Sequence, residues 1–144
     1  MTNDGILFKF FPDEERTQLL GLNFGEGLYC CSMALSPDER YIYYTGGIHA
    51  VVYEPGPPLV QYDLQTNKKK VIAFLYTFYQ DKYQYKPYYS YSINTDAEGK
   101  NLFLVWNGRF INMSDNTKPL GHPAFMYVEI PASERPPGTI KAKQ

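Results

Sequence analysis

The feature that most constrains this chain is that it repeats one pattern of short strands and tight turns. The stretch M-A-L-S-P-D-E-R-Y-I-Y-Y from Met33 leads to P-L-V-Q-Y-D-L-Q-T-N-K-K-K-V-I-A-F from Pro58. A second copy begins at Tyr91 with Y-S-I-N-T-D-A-E-G-K-N-L-F-L-V-W and resumes at Ala124 with A-F-M-Y-V-E-I-P-A-S-E-R. A half copy, G-I-L-F-K-F-F-P-D-E-E-R-T-Q-L-L-G-L from Gly5, opens the chain and resembles the later part of each unit. Repeats of roughly 40 residues or more, each made of short strands, point to an array of sheets. Such a pattern constrains architecture and discloses no reaction.

Period-two alternation, punctuated by turn formers, predicts strands over 6–11, 18–22, 29–35, 41–45, 59–64, 70–75, 89–94, 102–106 and 125–130. In Ser36-Pro37-Asp38-Glu39-Arg40 the proline fixes φ and Asp38 can bond nearby backbone donors. Helical periodicity never persists, and eleven prolines with eleven glycines break most candidate helices. The chain reads as all-β. At 144 residues and 44% hydrophobic it can build one sizeable core. The aromatic share of 17%, led by tyrosine, suits half-buried strand positions and binding surfaces alike.

The order strand, S-P-D-G-type turn, strand, loop, strand with a Y-D end, T-x-x-K-type turn, strand resembles a β-propeller blade of the WD-repeat-like superfamily. Ser36 to Tyr43 carry the first half of the resemblance and Val60 to Thr66 the second, with Glu39 where that turn commonly has glycine. The resemblance implies antiparallel four-stranded blades, about two and a half in this chain. They would be a half blade over 5–24, a first full blade over 29–75, a second over 89–135, and a tail over 136–144. A small β-sandwich or barrel is the alternative. An open arc of blades exposes strand edges and an apolar face, so either self-association or the remainder of a longer chain is expected to complete it.

Charge and cysteine usage remove several function classes. A net charge of −1 with mixed signs leaves no concentrated basic face for nucleic acid or an anionic membrane. No segment is apolar enough to span a bilayer and no secretory pattern opens the chain, so the expectation is a soluble protein retained where it is made, cytoplasmic if the chain is complete. Cys30 and Cys31 are adjacent, without zinc-type spacing or a disulfide framework, and read as small apolar residues beside a strand. No metal site and no cofactor are expected.

On the blade reading, short turns line one rim, and three long connections over 46–58, 76–88 and 107–123 line the other. The scarce groups fall on the long-loop rim. His49 and His122 are the catalytic candidates, since imidazole changes charge near neutral pH. Tyr53, Glu54, Asn107 and Arg109 join them as candidate ligand-binding residues, with Trp106 at the end of its strand. Tyr83, Tyr85 and Tyr88, in Y-T-F-Y-Q-D-K-Y-Q-Y-K-P-Y-Y-S-Y, read as exposed rings spaced by polar residues and apt for a peptide, a sugar or another subunit. The leading expectation is a binding or scaffold module presenting this tyrosine-rich rim to a peptide, protein or saccharide. A propeller-type hydrolase or lyase acting on a sugar-derived substrate is the second, and a structural subunit or fragment without a ligand the third.

Overall fold

The computed structural model describes residues 5–23, 30–46, 56, 58–111 and 121–135. His49, Tyr53 and Glu54, together with the tail over 136–144, lie outside the described residues. The elements are β1 (Ile6–Phe11), β2 (Arg16–Leu22), β3 (Met33–Leu35), β4 (Tyr41–Thr45), β5 (Leu59–Asp63), β6 (Lys68–Ala73), α1 (Leu75–Tyr83), β7 (Tyr85–Thr95), β8 (Asn101–Phe110) and β9 (His122–Glu129). They form three antiparallel sheets: the hairpin β1-β2, the four-stranded sheet β3-β4-β5-β6, and the three-stranded sheet β7-β8-β9. None of the three is closed. The molecule is predominantly β, as the alternating patterns require.

The three sheets stack through the two faces of the central one. Successive strand residues point to opposite faces, and the neighbours Tyr43 and Tyr44 both have zero exposure. Tyr43 joins Ala34 and Leu59 in a core shared with Leu102, Leu104, Trp106 and Met126 of the three-stranded sheet. Tyr44 joins Val60 and Tyr62 in a core closed by Leu7 of the hairpin. Polar ties cross both layers: the Tyr44 hydroxyl donates to the Asn23 carbonyl at 2.7 Å, and Thr45 Oγ1 meets Ser90 Oγ at 2.8 Å.

The two larger sheets share one pattern of turn bonding. Between β3 and β4, Ser36 N donates to Tyr41 O at 2.8 Å and Glu39 N to Ser36 O at 2.9 Å. Between β7 and β8, Asp96 N donates to Asn101 O at 3.1 Å and Gly99 N to Asp96 O at 3.2 Å. Glu39 and Gly99 are both left-handed, with φ of 59° and 66°. Glycine adopts that backbone freely and glutamate does not. After the third strand, Leu64 N donates to Arg40 O at 2.9 Å, matched by Ile130 N to Lys100 O at 2.8 Å. Thus β7, β8 and β9 correspond to β3, β4 and β5. Among the described residues nothing corresponds to β6. Instead the chain beyond β9 makes a 3-10 turn over Ala132–Glu134 and returns to the central sheet, where Gln61 Nε2 donates to Glu134 O at 2.6 Å.

Three expectations are corrected. The segment 76–88 is not a loop: α1 occupies its first part and β7 begins at Tyr85. The helix forms because Leu75 is drawn into the main core while Tyr76 packs on Tyr88 and Tyr89, and it ends where Gln84 turns left-handed and donates its N–H to Gln80 O. Likewise Asn107 and Arg109 lie inside β8 and His122 opens β9, so these residues are on strands rather than loops. Irregular pairing at Pro87/Tyr89 and Ser90/Ser92 lets β7 pass its proline and continue. Finally, β3 starts only at Met33, with Cys30 buried and Cys31 exposed ahead of it.

The turn after β5 makes a pH-dependent contribution. Asp63 accepts from Arg40 Nη2 at 2.9 Å and from the Gln65 N–H at 2.8 Å. The Arg40 hydrogen bond, opposed by burial and helped by the Gln65 and Thr66 donors, holds the carboxyl at about 2, below its usual 3.8. A carboxyl with a depressed folded-state value stabilises above its unfolded value, about 4, and loses that stabilisation as the pH falls through about 2. Asp63→Asn should therefore lower the denaturation midpoint at neutral pH. It should also shrink the fall in midpoint between about pH 4 and pH 2, as followed by urea titration at each pH.

Candidate functional site

Four buried side-chain atoms among the described residues have no hydrogen-bond partner: Trp106 Nε1, Asn107 Oδ1, Arg109 Nε and His122 Nδ1. All four lie at one end of the three-stranded sheet, because three come from β8 and His122 pairs in register with Gly108 between them. Buried polar atoms are nearly always satisfied, so their concentration at one place marks it out.

Strand alternation divides the four between two faces. Trp106 and His122 take the side of the main core. There the Tyr85 hydroxyl donates to the His122 carbonyl at 2.7 Å, and burial pushes its ionisation well above the usual tyrosine range. Phe110 stands edge-on to both rings, with centroids 5.1 Å from Tyr85 and 5.9 Å from His122. Asn107 and Arg109 take the other side. Asn107 Nδ2 donates to the hydroxyls of Tyr89 at 3.2 Å and Tyr91 at 3.3 Å, which are themselves 3.0 Å apart. Burial, then the Tyr91 hydrogen bond, raises the Tyr89 hydroxyl. Lys86 is the register partner of Arg109, and its ammonium lies 5.9 Å from the Tyr76 ring centre.

A second feature lies between α1 and β9. One groove of about 350 Å³ lies between Phe74, Phe78 and Tyr79 on the helix side and Tyr127 to Glu129 on the strand. It continues into a second of about 450 Å³ bounded by Tyr79, Tyr83, Tyr85 and Phe110 and by Ala124 to Tyr127. Tyr79 and Tyr127 line both, so residues of α1 and β9 bound the two grooves together. Phe125 and Tyr127 are 69% and 54% exposed.

The structure therefore brings Trp106, Asn107, Arg109, His122 and Tyr85 together, and places Tyr83, half-exposed, on the groove. Tyr85 and Tyr88 are buried in β7, not exposed as the aromatic-rim reading expects, because 85–88 pairs with β8 or packs on Tyr76. Sequence reading missed Phe74, Phe78, Tyr79, Phe110, Phe125 and Tyr127. A usable signal was present: Phe125-Met126-Tyr127-Val128 is apolar on both strand faces, which a strand with one solvated face does not need. Among the described residues no three His, Cys, Asp or Glu side chains are grouped to hold a metal ion, and no helix is long and apolar enough to cross a membrane. Comparison with family models, curated proteins and solved structures returns no match.

Gly108 is the residue that lets this end of the sheet close. A Cβ there collides with the Lys86 backbone carbonyl and stands 2.7 Å from the Tyr85 hydroxyl. Gly108→Ala should cost about 1–3 kcal/mol, the usual penalty of overpacking against backbone. It should also shift the emission of Trp106, the only tryptophan. Equilibrium denaturation read by that fluorescence measures both.

Proposed function

We propose that this protein is a binding module that accepts an extended polypeptide segment as an added strand along the outer edge of β9. The observation that carries this reading is the vacancy left by the comparison of the two larger sheets. In the central sheet β6 pairs with the outer edge of β5. Among the described residues no strand pairs with the corresponding edge of β9. An edge offers a row of backbone donors and acceptors, and strand addition satisfies them while side pockets select alternate residues of the ligand.

The groove supplies such pockets. A strand laid on β9 would turn every second side chain toward α1, against Tyr79, Tyr83 and Phe110, and the intervening ones toward Phe125 and Tyr127. Aromatic anchors of this kind usually dominate interface energetics. On this reading the sheets are propeller-type blades and the ligand completes the second of them, so a segment apolar at alternate positions is preferred.

The test is a panel of short extended peptides with alternating apolar residues, titrated against the full chain by fluorescence polarisation. Binders should lose about tenfold or more in affinity to the Phe125→Ala/Tyr127→Ala variant, whose exposed positions spare the fold. Bound peptide should slow amide exchange in β9 and leave β3 to β6 unchanged. Equal binding by the double variant, or no saturable binder in the panel, defeats the reading.

A further inference from the structure

We infer that this chain binds a second copy of itself head to tail, the outer face of β7-β8-β9 in one copy receiving the outer face of the β1-β2 hairpin of the next. The contact uses sheet faces, not the edge of β9, and does not depend on strand addition. The internal correspondence identifies the positions involved. Since Arg40 O and Lys100 O accept equivalent bonds from Leu64 and Ile130, Tyr43 corresponds to Phe103 and Leu59 to Phe125. In the central sheet Tyr43 and Leu59 have no exposure and pack in the core shared with the three-stranded sheet. On the three-stranded sheet their counterparts lie on the face away from that core. There the Phe103 and Phe125 rings stack, with centroids 6.0 Å apart and planes 17° apart, and Phe125 stands exposed.

The hairpin repeats the β5-β6 pair in the same way. Its turn over 12–15 ends in left-handed Glu15, with φ of 48°, and the turn over 64–67 ends in left-handed Asn67, with φ of 56°. Both pairs shift register at the same step, between Leu7 and Phe8 in one and between Leu59 and Val60 in the other. Phe8 therefore corresponds to Val60 and Phe10 to Tyr62. Val60 and Tyr62 are buried in a core with Leu7 and Leu20 of the hairpin. Phe8 and Phe10 are exposed, and Leu19, the register partner of Phe8, is 72% exposed.

Both ends of the stack thus show to solvent the positions that the middle layer buries against its neighbours. Arrays of stacked units ordinarily carry polar outer faces on their end units; here those positions are apolar. One end presents the face that a following layer covers, and the other the face that a preceding layer covers. The chain carries both halves of the contact, so a second copy is the partner that fits. Such a contact is heterologous: each copy joined at one end leaves its other end free, giving a closed ring or an open row.

Sedimentation velocity on the full chain over a dilution series should show species heavier than one chain that dissociate on dilution. Leu19→Arg charges the hairpin face. Val105→Arg charges the other, since Val105 is the register partner of Phe125. Both positions are exposed, so each variant should keep its fold by circular dichroism and sediment as a single chain. Mixing the two variants is the decisive step. Each retains the face the other has lost, so the mixture should form a complex of two chains and stop there. A parent chain that stays a single chain at every concentration overturns the inference and leaves these faces to a different polypeptide. Loss of association by only one of the two variants overturns it in favour of a symmetric contact. A mixture that stays dissociated while the parent associates also overturns it. Leu19 and Val105 lie off the edge of β9, so none of these results bears on peptide binding there.

Discussion

Everything else in the molecule follows from one constraint: the central sheet is apolar on both faces. Tyr43 and Tyr44 are adjacent and fully buried in different cores, so neither face of β3 to β6 can be left to water. A tyrosine ring buries a large area, and its hydroxyl must also find a partner. Tyr44 finds Asn23 O on the hairpin side, and Tyr43 accepts from Gln61 Nε2 on the other. The hairpin and the three-stranded sheet are therefore structural necessities for the middle layer. Their own outer surfaces carry no such obligation, and there Phe125 and Tyr127 stand exposed.

What could be read from the sequence was local. The turn residues of S-P-D-E-R and T-D-A-E-G-K act within a few positions of themselves: Ser36 Oγ accepts from Tyr41 N at 2.8 Å, and Asp96 Oδ1 accepts from Lys100 N at the same distance. Such bonds form whatever the rest of the chain does, so the strands that flank them were legible with small errors at the ends. The segment 76–88 was not, because tyrosines alternating with polar residues read as strand or loop, while α1 owes its place to Leu75 and Tyr76 being held by distant side chains. Pro87 and Gly108 look like breakers in isolation. They face each other in the pairing of β7 with β8, where the missing N–H and the missing Cβ are both accommodated.

The site was legible in part for a different reason. Trp106, Asn107, Arg109 and His122 stood out as scarce polar or aromatic groups, and all four prove to hold unpartnered buried atoms. Their grouping could not be seen, since it depends on the register that sets His122 against Gly108 and Lys86 against Arg109. Register is a long-range property: a shift of one residue would exchange the faces and carry Arg109 to the core side. Tyr85 and Tyr88 illustrate the opposite error. Composition alone does not distinguish a ring that binds from one that packs.

Among the described residues no strand pairs with the outer edge of β9, and an unpaired edge is also a hazard, because any exposed strand can pair with it. The residues around β9 restrict that freedom without closing the slot. Pro123, second in the strand, lacks an N–H and limits pairing at that end, while Glu129 places a charge at the other, held by Arg135 Nη2 at 2.6 Å. In the central sheet the same edge is filled by β6, whose consecutive lysines Lys68, Lys69 and Lys70 discourage further pairing beyond it. One sheet is thus terminated by its own charged strand. In the proposed reading Pro123 and Glu129 restrict what can pair with the edge of β9.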